Sequence, residues 1–301
     1  MLRDKITQFY VELDDFCKEF EQELSKRPVI EGAVKSRRRA GNLSDAEMMS
    51  IYLLFHFGQF TNFKSFYTMY VQKHLVDLFP DIISYERFNA RQHRILIPLM
   101  MYLKQRGLGK SRGINYIDST LLRVCHIKRE KQHKVFKNVA TKGKSTMGWF
   151  FGFKLHLIIN DKGELLSFYL TKGNVDDRNL EVMKAMTKDI FGKLFGDKGY
   201  ISKALKQLLF EDGIQLITKV RKNMKTQNLS DIDAVLLRKR ALVESVNDEL
   251  KNICKIEHSR HRSVKGFLVN LIAALTAYCF FPKKPSLNIQ PIESNQLSVF
   301  A

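Results

Sequence analysis

Around residue 114 the hydrophobic repeat of this 301-residue chain changes from helical to strand-like, and that change limits the folds open to it. Ahead of it, Ile6, Phe9, Tyr10, Leu13, Phe16, Cys17, Phe20 and Leu24 recur at three- and four-residue spacing, as on an amphipathic helix. Ser44-Asp-Ala-Glu47 is a capping box and predicts a second helix to about Phe57. A third is expected from Phe63 to Phe79, stopped by Pro80. A fourth follows Ser84, with Arg87, Arg91 and Arg94 on one face. Short helices ending in an arginine-striped one fit a helix-turn-helix reader of DNA, and equally an ordinary bundle with a solvated basic face.

Beyond the change, Ile114–Asp118 reads as a short strand. Phe151, Phe153, Leu155, Leu157 and Ile159 alternate as a second, which Asn160-Asp-Lys-Gly163 turns into a third near Leu165–Thr171. A helix over Asn179–Ile190, a strand over Leu194–Asp197, a Ser202-capped helix, a strand over Ile214–Val220 and one long helix from Ile232 to Cys254 complete the run. Three strands followed by strand and helix alternating twice describe an α/β fold, a mixed sheet with flanking helices, preceded by an all-helical N-terminal domain. The expected divisions are 1–110, a helical DNA-binding region; 111–281, a catalytic domain; and 282–301, a loosely ordered tail that begins at the first of three late prolines.

Three acids stand out on this frame. Asp118 and Asp197 each close a short apolar run, as residues at strand ends do, and Glu244 lies on the strongly periodic late helix. Two Mg²⁺ ions held roughly 3.5–4 Å apart need several carboxylates converging from different elements. With Val243, Val246, Leu250 and Ile253 buried, Arg240, Glu244, Asn247 and Lys251 share a neighbouring face. A carboxylate between two cations stays ionised, while the cations can grip phosphates. An ordinary surface helix with Arg–Glu pairing has the same pattern.

A formal charge of +19 favours a polyanionic partner. Cys17, Cys125, Cys254 and Cys279 lie far apart, which excludes a Cys-x-x-Cys zinc site and a disulfide framework and suits a reducing, cytoplasmic setting. No secretory signal is visible. The longest apolar run, Gly266–Phe281, contains Asn270 and is short of a membrane span, so it predicts a buried helix. Gly109-Lys110-Ser111 precedes a strand and lacks the first glycine of a phosphate loop, so no nucleotide cofactor is expected.

Arg240-x₃-Glu244-x₆-Lys251 resembles the glutamate motif of DDE transposases of bacterial insertion sequences. Asp197-Lys-Gly-Tyr200 and Tyr116-Ile-Asp118 resemble the motifs around their two aspartates. Gly148-Trp-Phe-Phe-Gly-Phe-Lys-Leu-His156, Gly173-Asn-Val-Asp-Asp177 and His258-Ser-Arg-His-Arg-Ser263 look most like the insertion-sequence 982 family, over roughly residues 1–280. One departure is Leu237, where a tyrosine often stands. The resemblance implies a ribonuclease H-like domain in which Asp118 bridges two Mg²⁺ ions (Mn²⁺ substituting) and Asp197 and Glu244 each complete one coordination sphere. It also implies cleavage at the element's ends and transfer of the freed 3′-hydroxyl into target DNA, on terminal inverted repeats paired by a homodimer or larger assembly. Such a protein would work at the bacterial nucleoid. A stand-alone nuclease on the same fold, or a non-catalytic DNA-binding descendant, is the alternative.

DNA contacts are expected from Arg240, Asn247, Lys251, Lys198 and Tyr200 around the acids. The segment Arg123–Lys144 holds eight Lys or Arg against one acid, Glu130, and adds Arg123, Lys128, Arg129, Lys131 and Lys134. Arg260 and Arg262 precede the final buried helix, and Arg87, Arg91 and Arg94 form the recognition stripe. Phe136 and Trp149 are aromatics that could stack on an unpaired base, core packing being the ordinary role for Trp149. Asp176 and Asp177 are expected to cap a helix, Asp161 to sit in a turn, and His156 to pack or pair.

Overall fold

The computed structural model describes residues 2–26, 42–146, 148–220, 224, 229–257 and 261–287. Contacts divide the chain into two compact units: residues 1–107 with 252–256 and 261–281, and residues 108–251 with 257–260 and 282–301.

The first unit is helical. Leu2–Ser25 buries Ile6, Phe9, Leu13 and Phe16 along the stripe its spacing predicts. Asp45–Phe57 opens on the expected capping box: Ser44 Oγ accepts from the Glu47 amide at 3.1 Å, and the Glu47 carboxylate accepts from the Ser44 amide at 2.7 Å. The third helix is broken into Phe63–Ser65, a π-turn over Phe66–Val71 and Gln72–His74, and it ends before Phe79. Ser84 caps Tyr85–Arg91, but a tighter 3-10 turn over Gln92–Ile95 follows, so Arg94 leaves the phase of Arg87 and Arg91. Val264–Cys279 belongs to this unit, although the sequence division assigns it to the segment beginning at 111. Its residues from Gly266 to Tyr278 are almost all buried, and it packs against Asp45–Phe57 and Leu96–Tyr102. A helix apolar on all sides needs partners all round. The preceding connection is tied down by His56 Nδ1, 2.6 Å from the Cys254 carbonyl.

The second unit carries a six-stranded sheet: β1 (Ile114–Cys125), β2 (Thr141–Ser145), β3 (Gly148–Asn160), β4 (Leu165–Lys172), β5 (Gly192–Gly196) and β6 (Ile214–Thr218). The β3–β4 turn is the predicted one, with Gly163 at φ +69°. β3 pairs antiparallel with β1 and β4, while β5 runs parallel to β1 and β6 parallel to β5. The order β4-β3-β1-β5-β6 is the ribonuclease H-like arrangement expected, with β2 extending the β4 edge along the far end of β3. Leu180–Thr187 and Lys203–Glu211 cover one face, on Ile117, Ile158, Leu194 and Leu216. By strand alternation, Tyr116 and Asp118 take the opposite face.

Gly152 lets β1 and β3 meet at a register irregularity beyond Arg123. A Cβ there would lie 2.0 Å from the Leu122 carbonyl oxygen, and backbone has no rotamer in which to retreat. Gly152→Ala is expected to lower the melting temperature by about 5–10 °C, from an overpacking cost of about 2–3 kcal/mol. An unchanged melt measured by circular dichroism would contradict the close approach.

Candidate active site

The sheet register brings the two aspartates level. Ile114, Asn115 and Tyr116 of β1 pair with Lys193, Leu194 and Phe195 of β5, and the same offset carries Asp118 beside Asp197. Adjacent strands lie about 4.8 Å apart, so two carboxylates at the same height are neighbours. Asp118 is held in mid-strand opposite Leu157, whereas Asp197 is the first residue past β5. There it caps the short turn Lys198–Tyr200, its Oδ1 accepting from the Gly199 amide at 2.7 Å. A Cβ on residue 199 would come 2.8 Å from that same oxygen, which explains the glycine of Asp-Lys-Gly-Tyr.

Glu244 arrives on a helix that the sequence reading had merged with its predecessor. The expected Ile232–Cys254 helix is two, Asp231–Arg238 and Ala241–Asn252. The break is tightened by Leu242 N donating to Lys239 O at 3.0 Å. A helix end leaves carbonyls without partners, and the Tyr116 hydroxyl reaches the Leu236 carbonyl at 3.3 Å. The second helix buries Val243, Val246 and Leu250, leaving Glu244 exposed at its first turn. Leu237, at the position of the missing tyrosine, is buried.

Arg240, in the break, lies between two of the acids. Its Nη1 is 3.6 Å from Asp118 Oδ1, and its Nη2 is hydrogen-bonded to Glu244 Oε1. Asn247, one turn beyond Glu244, donates from Nδ2 to Asp118 Oδ2 at 3.0 Å. Burial raises the Asp118 pKa from 3.8 to about 6; Arg240 opposes the rise, and Asp197 and Glu244 add to it by repulsion. Asp118 therefore lies within the electrostatic reach of both other carboxylates.

A buried carboxylate repelled by two others is a site whose strain a divalent cation relieves, and hard oxygen donors suit Mg²⁺ or Mn²⁺. Among the described residues no three His, Cys, Asp or Glu side chains are drawn together closely enough to hold an ion as they stand. The Arg240 guanidinium engages both Asp118 and Glu244. The carboxylate oxygens of Asp118, Asp197 and Glu244 are hard donors of the kind a divalent metal takes.

The remaining residues expected at DNA divide by environment. Lys198 is exposed, but the Tyr200 ring is buried at 1 % exposure beneath the aspartates, out of reach of a phosphate. Its hydroxyl is held well above the ordinary phenol range by burial and by Asp177, Asp118 and Asp197. Asn247, 7 % exposed, orients Asp118 instead of facing solvent. Lys251 is half-buried, 3.6 Å from Glu257, whose other oxygen accepts from the Arg123 amide at 3.1 Å. Glu257 had no signal in the sequence beyond being an acid in a basic stretch.

Arg123, Lys128, Arg129, Lys131 and Lys134 are all exposed, Arg123 on β1, which runs well past Asp118. In the helical unit Arg87 and Arg262 are exposed, Arg91 is half-buried, and Arg94 sits 3.6 Å from Asp45. Arg260 lies outside the described residues. Neither Asp176 nor Asp177 caps the helix at Leu180. Asn179 does, while Asp176 pairs with Arg178 at 2.6 Å and Asp177 with Lys154 at 3.1 Å. Asp161 sits in its turn, 3.3 Å from Arg112. His156 is buried, with Nε2 2.9 Å from Thr171 Oγ1. Phe136 is fully buried, which removes it as a base-stacking candidate, and Trp149 is exposed, against the core packing that was its ordinary role.

No helix among the described residues is long and apolar enough to cross a membrane. No curated protein matches the chain. Solved structures similar to it include two transposase complexes. One is a cryo-EM structure of the piggyBac transposase synaptic complex with hairpin DNA, with a TM-score of 0.47 and 10 % identity, covering 92 % of this chain and 70 % of that one. The other is a crystal structure of a pre-cleavage Mos1 transpososome, with a TM-score of 0.24 and 13 % identity, covering 88 % and 85 %. The family profile described as the transposase DDE domain matches residues 108–264, more than half of the chain. That match takes in Asp118, Asp197 and Glu244, and the chain belongs to the transposase DDE domain family.

Proposed function

We propose that the protein is the transposase of a bacterial insertion sequence, of the 982 type, which cuts DNA at the ends of its element and joins the freed 3′-hydroxyl to target DNA. The observation that carries this reading is the level placement of Asp118 and Asp197 on adjacent parallel strands, with Glu244 brought to them through Arg240. Family membership and a net charge of +19 support a DNA substrate.

Asp118, Asp197 and Glu244 would hold Mg²⁺ or Mn²⁺, which supplies a reactive hydroxyl nucleophile and stabilises the departing oxygen. The chain's own residues prepare that chemistry. Asn247 fixes the rotation of the Asp118 carboxylate, and the Gly199 amide fixes that of Asp197. Arg240 would neutralise a phosphate beside the acids. Lys198 and the exposed cations from Arg123 to Lys134 would track the flanking backbone, with Lys251 and Arg262 as further contacts. The helical unit would read the terminal repeats with Arg87 and Arg91, and two or more chains would pair the ends.

The test incubates full-length protein with labelled DNA bearing the gene's own flanks, with Mg²⁺, Mn²⁺ or EDTA, beside Glu244→Gln. Metal-dependent cuts at one boundary that go on to joined products, and that the variant lacks, are expected. Cuts without joining would replace this reading by a nuclease; binding without cuts would replace it by a DNA-binding protein.

A further inference from the structure

The edge hairpin formed by β2 and β3 carries the chain's only tryptophan outward. Its inner face is packed: Gly143, Phe150 and Gly152 are buried. Side chains alternate along a strand, so Lys142, Lys144 and Trp149 take the other face, on which Phe151, opposite Lys142, is buried and Trp149 is not. Trp149 is 56 % exposed, directly across from Lys144 in the register. Lys142, diagonal to it, holds its ammonium 4.7 Å from the indole centroid, and Lys144 holds its own at 5.7 Å. A large aromatic left in water beside a buried one on the same face, with two cations gathered over it, answers neither to folding nor to the acids' chemistry.

We propose that Trp149, Lys142 and Lys144 form a binding site for an unpaired nucleobase of DNA, the indole stacking on the base and the two ammonium groups taking the phosphates on either side. The inference rests on the reading that the protein acts on DNA, and it adds a place where a strand is held open. An indole offers a flat face to any base, so the site is indifferent to sequence. Successive DNA phosphates flank each base, and lysines on neighbouring register positions of one hairpin face match that alternation of ring and charge. A lysine over an exposed ring is held weakly and is readily given up to a phosphate, whereas base stacking on an aromatic is the stronger contact. A paired duplex offers its bases only edge-on, so the site selects DNA with an unpaired base.

Because Trp149 is the single tryptophan, its emission reports this site alone. The experiment titrates full-length protein with fluorescein-labelled duplex that is either fully paired or carries one unpaired thymine, without divalent metal. Labelled-DNA anisotropy reads binding, and tryptophan emission reads stacking. Strong quenching by the unpaired-base duplex and little by the paired one is expected. Trp149→Ala should weaken unpaired-base binding about 10-fold while paired-duplex affinity holds, and Trp149→Phe should restore most of it. Lys142→Gln with Lys144→Gln should reduce the salt dependence by about two phosphate contacts. Matching melting curves confirm that the variants fold. Binding to both duplexes with unchanged tryptophan emission would overturn the proposal and leave the DNA reading standing. Absence of any anisotropy change would overturn both.

Discussion

Asp118→Asn is expected to abolish metal-dependent DNA cleavage, by at least about 10³-fold, and at the same time to make the protein harder to unfold at neutral pH. The two effects have one cause. In the folded chain burial, reinforced by Asp197 and Glu244 and opposed by Arg240, raises the Asp118 pKa from 3.8 to about 6. A carboxyl whose pKa is raised by folding contributes stability that is fully present below about pH 4 and is lost as pH rises through about 6. At pH 7.5 the wild-type chain therefore carries an ionised carboxylate that its surroundings disfavour, by up to about 3 kcal/mol for a shift of this size. Asparagine keeps the acceptor for Asn247 and removes the charge, so the variant should melt several degrees higher at pH 7.5, with the difference vanishing near pH 4. Thermal melts across that range, paired with cleavage assays, check both halves. Added Mn²⁺ should raise the melting temperature of the wild type and leave the variant unmoved. A variant that still cuts, or that melts below the wild type at every pH, would remove Asp118 from the centre of the site.

Arg240→Gln is expected to cut the cleavage rate about 100-fold and to move the acid limb of its pH profile upward by about one unit. Among the influences on Asp118, Arg240 is the one charged group that lowers its pKa, against burial and two like charges. Removing the guanidinium takes away the larger of the two influences that lower it and leaves the Ser119 backbone hydrogen bond against burial and two like charges, so Asp118 must be brought to higher pH before it ionises. Lys251→Gln provides the contrast. Lys251 is paired with Glu257 and not with the acids, so it should weaken DNA binding without moving the limb. Rates measured from about pH 6 to 9 under single-turnover conditions separate the two. A limb that stays in place in Arg240→Gln would mean that Asp118 does not limit the reaction.

The parts of the site legible in the sequence are those that follow chain periodicity. Asp197 ended an apolar run because β5 ends there, whereas β1 continues past Asp118 to Cys125; the mixed sheet followed from the spacing of such runs, and its ribonuclease H-like character from the resemblance. What stayed hidden depends on partners distant in sequence. The break at Lys239–Arg240 falls where the apolar positions stay in helical phase on both sides, and Tyr116, which satisfies the freed carbonyl, is over a hundred residues away. β2 was invisible because Thr141-Lys-Gly-Lys-Ser145 has no apolar alternation; it exists by pairing with β3. Asn247 was assigned to DNA because a polar residue beside a glutamate on a helix looks solvent-facing, and only the sheet beneath shows that Asp118 is its partner. Trp149 was misjudged for a related reason: its hydrophobicity argues for burial, but Gly143 and Phe150 claim the inner face.

The placement of Val264–Cys279 among the N-terminal helices has a consequence for synthesis on the ribosome. The first hundred residues emerge early, yet the helix that completes their packing leaves the exit tunnel only after the entire sheet has been translated. At about 5–20 residues per second the wait is roughly 10–35 s, during which the slot for that helix stands open to water. A nascent chain in this condition presents an apolar groove to chaperones and proteases. Translation stopped anywhere short of residue 264 then yields a polypeptide whose helical unit is unfinished, so truncated products should be cleared quickly.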